Sequence, residues 1–472
     1  MARAAINKIN SMKIIRSIIL VGTLALALSG CKSLYGRYER PQVAANGLFR
    51  DTLSAADTLA TPDTLSLGHW AWRDVFTDSQ LQTLIQKALD NNPNLLNAAL
   101  NIEMAKAQIK AAKLAFLPQF AFTPQGTVSH FNEKTVQSYD LTVAASWNVS
   151  LFGGLTAAKR AAQTSLIQME DYQLSVKTSL VSGVANLYYT LLMLDRQMEL
   201  VQEMEMLTQK TWKQMEAMKN GRMGYRSTAV QAAEANYYSV LTRKADLKRQ
   251  LREMENSLSL LLGEPAQFVP RGKLADQSLP GHFSTGVGIQ LLRNRPDIHA
   301  NEMALATCFY NVEKARSMFY PNITINAMGG FSNGKGMVNP GQWLLSAVAS
   351  LTQPIFMNGR LTAGLRVAEA KYQQAYNTWQ NSIFKAGAEV SNALVLYNTS
   401  QEKSDIEQKQ IEVLKKNVEH THMLLDMAGS TYLEVITAES KLLNAQLSKV
   451  TDDFHKMQAV VNLYQALGGG TR

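Results

Sequence analysis

The sequence predicts a mainly helical chain with a small membrane β part, built as two copies of one pattern. Three observations carry this. All 12 prolines lie at or before Pro354, and the stretches 125–264 and 355–472 contain none. Proline removes a helix hydrogen bond and clashes with the preceding turn, so such runs favour long helices. Landmarks also recur about 205 residues apart. Asn92-Pro93 returns as Arg295-Pro296, and Phe116-Leu117-Pro118 as Phe319-Tyr320-Pro321, both at an offset of 203. Leu151-Phe152 returns as Ile355-Phe356 at 204. Gly224…Ala233-Glu234 returns as Gly429…Ala438-Glu439, and Leu262-Gly263 as Leu467-Gly468, both at 205. The period is far too long for a solenoid unit. Finally, each half carries two short alternating segments between helical ones.

Residues 1–30 read as a targeting segment. Lys13 and Arg16 give a positive start, and an apolar run follows to Leu28. The run is short of the roughly 20 apolar residues that span a bilayer. It ends in Leu28-Ser29-Gly30-Cys31, a spacing similar to the lipobox of bacterial lipoproteins, which implies cleavage before Cys31 and lipid on its thiol. Lys32-Ser33-Leu34-Tyr35-Gly36 follows without an acidic cluster, so the anchor is expected in the inner leaflet of an outer membrane. Translation can start at Met1 or at Met12, since Met12-Lys13-Ile14-Ile15-Arg16 already opens a normal signal. The other cysteine, Cys308, is then left without an intrachain disulfide partner and is expected as a small core residue.

Apolar residues make up 46% of the chain, enough for a sizeable core. Net charge is +9, but four of the positive charges and no acids lie in residues 1–30, leaving +5. That is too small and too dispersed to argue for nucleic acid. No phosphate-cradling glycine loop, cysteine–histidine ligand spacing or nucleophile elbow is present, so no enzyme, cofactor or metal site is expected.

Each half reads helix, two strands, very long helix, shorter helix. Residues 79–116 are expected helical with a break near Pro93, and Pro118 marks the change to strand. Strands are expected at 119–129 and 138–149, joined by His130-Phe131-Asn132-Glu133-Lys134, and again at 322–332 and 343–355. Leu141, Val143, Ala145, Trp147 and Val149 alternate with Thr142, Ala144, Ser146, Asn148 and Ser150. One apolar face and one small or polar face fit a transmembrane barrel with a wet lumen. A soluble sandwich with one solvated face has similar strands. The lipoprotein signal and the flanking helices favour the membrane.

Long helices are expected at 156–219 and 361–427, each roughly 100 Å at 1.5 Å per residue. Leu180, Val184, Leu187, Leu191, Leu194, Met198 and Val201 form a seam spaced 4-3-4-3-4-3, which predicts coiled-coil packing. Leu262-Gly263-Glu264-Pro265 reads as a helix end. Four strands cannot close a barrel, and an open sheet edge in lipid leaves backbone groups unpaired at several kcal/mol each. A chain with these strands in a membrane must therefore oligomerise, and three copies give twelve strands.

The run Trp72-Arg73-Asp74-Val75-Phe76 through Leu89-Asp90-Asn91-Asn92-Pro93 resembles the opening signature of the TolC-like outer-membrane factor family, in its lipoprotein branch serving resistance-nodulation-division (RND) efflux systems. So do Arg295-Pro296-Asp297-Ile298, Pro354-Ile355-Phe356-Met357-Asn358-Gly359-Arg360 and Tyr432-Leu433-Glu434-Val435-Ile436-Thr437-Ala438-Glu439. Two positions depart: the family usually has a second glycine where Asn358 stands, and alanine near Cys308. The resemblance implies a homotrimer, with a 12-stranded β-barrel on an α-helical barrel, and outer-membrane lipid around it. It also implies a periplasmic adaptor and an inner-membrane RND pump as partners. The organisation expected is a signal at 1–30, a tether and equatorial segment at 31–78, a first repeat at 79–263, an equatorial linker at 264–285 and a second repeat at 286–468.

A duct needs a closable end. The turns Asn220-Gly221-Arg222-Met223-Gly224-Tyr225 and Ala428-Gly429-Ser430-Thr431 mark it, since glycine permits the backbone reversal that ends a helix. By resemblance, Gly221, Gly224 and Gly429 form the tip that docks on the adaptor. Gate candidates just above the tip are Arg222, Tyr225 and Arg226 on one hairpin, and Glu419 and Asp426 on the other. His420 and His422, two apart, fall on different helix faces, which argues against a shared metal. Methionines at 193, 198, 204, 206, 215, 218 and 223 could pass Cu(I), but core packing is the simpler role. The function expected is the exit duct of a tripartite efflux pump for small molecules such as drugs or metal ions. The alternatives are an exit duct for type I protein secretion, or a lipid-anchored periplasmic coiled-coil scaffold without a pore.

Overall fold

A computed structural model describes residues 36–42, 67–221, 227–278, 295–334, 341–427 and 432–471. The lipidation residue Cys31 lies outside the described residues. After a one-turn helix (Trp72–Val75) come α1 (Ser79–Asn91) and α2 (Pro93–Leu114). Strands β1 (Gln119–Phe131) and β2 (Lys134–Val149) follow, then α3 (Gly154–Gly221) and α4 (Ser227–Leu261). The second half runs α5 (Pro296–Ser317), β3 (Asn322–Ser332), β4 (Gln342–Thr352), α6 (Arg360–Asp426) and α7 (Tyr432–Ala466).

Element lengths repeat closely. Helices α2 and α5 have 22 residues each, α3 and α6 have 68 and 67, and α4 and α7 have 35 each. Both prolines of the repeated junction sit at the first position of a helix, where the missing N–H would have no helical partner anyway. Four strand boundaries differ from expectation: β1 ends at Phe131 rather than 129, β2 starts at Lys134 rather than 138, and β4 runs from Gln342 to Thr352 rather than from 343 to 355. The reason at β2 is a two-residue turn. Asn132 and Glu133 both have positive φ, 48° and 64°, so His130 and Phe131 pair within the ladder instead of looping out.

The chain divides into two compact units. One contains described parts of 1–42 with 102–169 and 301–379. Its centre is a four-stranded antiparallel sheet in the order β1-β2-β3-β4. The register sorts the residues by face. Phe122 pairs with Val143, Val143 with Gly329, and Gly329 with Leu345; Trp147 pairs with Ile325, Leu141 with Phe331, and Phe331 with Trp343. That face is apolar across all four strands. The opposite face joins Thr123 to Thr142, Ser146 to Asn326, and Asn326 to Val348. It carries side-chain hydrogen bonds, Thr123 to Thr142 at 3.1 Å and Ser146 to Asn326 at 2.8 Å. Both edge strands are open in the single chain. Phe120, Phe122, Trp343, Leu345 and Leu351 are exposed, the reverse of a water-soluble sheet. In the same unit, residues 36–42 lie along α5: Arg40 pairs with Glu302, and Arg160 Nη1 donates to the Gly36 carbonyl at 3.2 Å.

The other unit spans 43–101, 170–300 and 380–472, so far as these are described. Its core holds the expected seam. Leu180, Val184, Leu191, Leu194 and Val201 are buried, and Leu187 and Met198 pack against them. Burying one such side chain contributes about 1.5–3 kcal/mol. An exposed helix pair such as Arg249–Glu253 contributes about 0.3–0.5 kcal/mol. The apolar seam, not the surface charge, therefore holds these helices together. Trp72, Val75, Phe76, Leu81, Leu84, Ile85 and Ala88 complete the core, so the opening signature is largely packing. Asp78 caps α1 by accepting from the Gln80 and Leu81 amides, and also accepts from the Tyr188 hydroxyl at 2.6 Å and Gln277 Nε2 at 2.7 Å. Burial acts to raise the Asp78 pKa, but these hydrogen bonds outweigh it and hold the carboxyl below its ordinary value.

Among the described residues no helix is long and apolar enough to cross a membrane.

Candidate functional site

The helix ends that precede the two hairpin turns are on view. Gly221 is the last residue of α3, and Asp426 the last of α6. Arg222, Gly224, Tyr225, Arg226 and Gly429 lie outside the described residues. Glu419 is exposed on α6. Any pairing of the gate candidates across the two turns therefore lies outside the described residues.

What it does bring together lies one to three turns behind the tip. Met215 of α3, Val230 and Ala233 of α4, Leu425 of α6 and Val435 of α7 form one buried cluster, flanked by Trp212, Tyr432 and Ile436. Each of the four long helices contributes, so both hairpins share this knot. Beside it lies Glu439, whose side chain is fully buried. Its Oε1 accepts from Thr211 Oγ1 at 2.8 Å and faces His422 Nε2 at 3.1 Å. Its Oε2 is buried with no donor. Thr211 belongs to α3, His422 to α6 and Glu439 to α7, so one carboxylate ties the first hairpin to both helices of the second. A carboxylate in such a place is expensive unless hydrogen-bonded, and losing either donor leaves it poorly compensated.

In the sequence Glu439 stands only as a landmark of the repeat and the end of the last signature, with no role assigned to its carboxylate. The available signal was position: Val435, Glu439 and Leu442 follow one helix stripe, so an acid stands where an apolar residue is expected. The histidine pair resolves into unlike roles, with His420 exposed and His422 on Glu439. Met204 and Met215 are core residues, and Met193 and Met198 pack against the core, while Met206 is exposed. Cys308 is half-buried rather than core, and burial raises its thiol pKa. Asn358 has φ of 50°, a left-handed conformation that asparagine tolerates, which explains how it stands in a glycine position.

The turns closing α4 and α7 are built alike. Gly263 (φ 71°) and Gly468 (φ 81°) are left-handed helix terminators, and a Cβ on Gly263 would sit 2.6 Å from the Asn91 carbonyl oxygen. At the next junction the repeats differ. Asn92 caps α2 and donates through Nδ2 to the Leu261 carbonyl at 2.9 Å. Its counterpart Arg295 is buried and donates to the Ala466 carbonyl at 3.3 Å, to Glu389 at 2.6 Å and to Asp297 at 2.7 Å.

The model of the family described as outer membrane efflux protein matches residues 84–264 and 288–469. The chain is 29% identical over 468 residues to the cation efflux system protein CusC of Escherichia coli K12, covering 95% of this chain and 98% of that one. It is 28% identical over 459 residues to the probable outer membrane lipoprotein SilC of Salmonella typhimurium, covering 94% and 96%. Among solved structures, the open state of the Neisseria gonorrhoeae MtrE outer membrane channel matches with a TM-score of 0.78 at 25% identity, over 93% of this chain and 98% of that one. The Campylobacter jejuni CmeC outer membrane channel matches with a TM-score of 0.79 at 21% identity, over 93% and 95%.

Proposed function

The chain belongs to the outer membrane efflux protein family, and from that membership we propose that three copies form the exit duct of a tripartite RND-type pump. One observation carries the reading: a four-stranded sheet with an apolar face, a polar face and two open edges. Lipid cannot satisfy open edges, so each must meet a neighbouring chain. Three chains supply twelve strands, with the apolar face toward lipid and the polar face toward water. Cys31 carries the lipid anchor, in the inner leaflet of the outer membrane.

The work of the duct requires no catalysis. The hairpin ends carrying Gly221, Gly224 and Gly429 dock on a periplasmic adaptor. Arg222, Tyr225, Arg226, Glu419 and Asp426 are gate residues at that end, set by charge and hydrogen bonds between neighbouring helices. Small molecules or metal ions pass, in keeping with relatives named for cation and toluene efflux. Selection rests with the inner-membrane component, because a wide water-filled passage discriminates little.

The test uses the full purified chain. Native mass measurement should give a trimer, and planar bilayers should show a narrow resting conductance that rises in Asp426→Ala or Arg222→Ala. A trimer that never conducts would favour the scaffold alternative. Unchanged conductance and unchanged leakage of large antibiotics in both variants would remove these residues from the gate.

A further inference from the structure

About five helical turns from the end of α6, two carboxylates meet across the second hairpin. Asp452 of α7 is buried, with its side chain 3% exposed. Its Oδ1 accepts from Lys403 Nζ at 2.7 Å and faces His455 Nδ1 at 3.6 Å. Its Oδ2 is buried and has no donor. Glu407 stands one turn on from Lys403 on the same face of α6, which places it beside Asp452, and Glu407 Oε2 is likewise buried without a donor. Ionised carboxylates only accept hydrogen bonds. Two of them in contact therefore repel, unless something positive lies between.

The neighbouring Asp453 shows what a supplied carboxylate looks like here. It accepts from Ser404 Oγ at 2.7 Å and pairs with Lys449 at 2.7 Å and Lys456 at 3.1 Å. Burial acts to raise its pKa, and these donors outweigh it. Nearby cations are thus already engaged: Lys449 and Lys456 by Asp453, and Lys403 by Asp452. Arg196 of α3 lines the same groove as Asp453 and pairs with Glu199. Gln197 of α3 brings an uncharged amide to Thr451 at 3.1 Å. Among the described residues, no group of three or more His, Cys, Asp or Glu side chains could hold a metal ion.

We propose that Glu407 and Asp452 share one proton, and that this proton fastens α6 to α7. Burial, and then the Asp452 carboxylate beside it, push the Glu407 carboxyl up to about 7, with Asp453 adding to the rise and Lys403 opposing it. The folded hairpin holds the proton more tightly than an unfolded chain does. Stability from this contact is thus present at low pH and declines as pH rises through the folded value near 7. The hairpin is closed tightest in mildly acidic surroundings and loosens above neutrality. Its consequence for conduction rests on the duct reading; the shared proton does not.

Infrared spectroscopy of the purified full-length protein in detergent reads the proton directly. As pH is raised from about 5 to about 8.5, a protonated-carboxyl band should vanish with a midpoint near neutrality. Glu407→Gln should lack that band, and Asp452→Asn should move its midpoint down toward the ordinary glutamate range. The thermal midpoint of the native protein should fall across the window, and that of Glu407→Gln should stay level. No carboxyl band titrating near neutrality, or the same band in Glu407→Gln, would overturn the proposal. So would a stoichiometric bound cation found by elemental analysis and lost in Asp452→Asn. Glu407→Gln retains a donor toward Asp452; if it fails to fold, Asp452→Asn alone decides through its midpoint. In bilayers, native open probability should rise with pH while Glu407→Gln stays flat. A native channel indifferent to pH, with the infrared result intact, would refute the gating consequence and leave the proton site standing.

Discussion

At the start of α2, Asn92 caps the helix and reaches the Leu261 carbonyl at the end of α4; at the start of α5, Arg295 reaches the Ala466 carbonyl at the end of α7. The backbone task is the same in both repeats, and so are the helix lengths around it. The chemistry is not. A neutral amide serves the first junction, whereas a buried guanidinium balanced by Asp297 and Glu389 serves the second. The same contrast recurs nearer the tip. Glu234 of the first repeat is half-buried and accepts from the Tyr238 hydroxyl of its own helix at 3.3 Å. Its counterpart Glu439 is fully buried and joins three helices. Duplication preserved what the backbone requires, namely caps, terminating glycines and lengths. Among the described residues buried charge lies mostly in the second repeat, whose hairpin holds Glu439 and Asp452, with Glu407 half-buried beside Asp452, whereas the first repeat holds Glu255 paired with Arg271. Buried charge makes a structure sensitive to protons and neighbours, so the second hairpin is the better candidate for the moving part.

The contrast can be broken by substitution. Arg295→Ala should cost the most, about 2–4 kcal/mol, because it strands a buried carbonyl and two acids, although these acids are partly hydrated. A fall in thermal midpoint smaller than that of Asn92→Ala would contradict the asymmetry. Glu439→Ala should cost about 1–3 kcal/mol by removing the acceptor of buried Thr211. Glu234→Ala, measured beside it, should change the thermal midpoint little, since its contact is exposed. Asn92→Ala should cost about 1 kcal/mol, the usual worth of a lost helix cap. Equal effects for Glu439 and Glu234 would mean that the repeats share their load.

Much of this architecture is legible in the residues. The proline spacing marked the two junctions, and the 4-3 seam from Leu180 to Val201 became core. Strand faces followed from alternation at Leu141–Val149, because a period of two assigns each side chain to one face. The Asn132-Glu133 turn was missed because glutamate seldom adopts positive φ and no glycine marks the reversal. Glu439, Glu407 and Asp452 were missed for another reason. An acid on a helix stripe looks the same whether solvated or buried, and its burial depends on a helix distant in sequence. Thr211 lies 228 residues from Glu439. Only the fold brings them together.

In the proposed trimeric duct, closed at its hairpin end, the buried Glu439 contact helps to hold that end shut, and single-channel recording tests this most directly. Native protein, Glu439→Ala and Glu234→Ala would be compared in planar bilayers at fixed pH and salt. The account predicts a severalfold higher conductance or open probability for Glu439→Ala, and native behaviour for Glu234→Ala. Native conductance in both variants, or an equal rise in both, would contradict it.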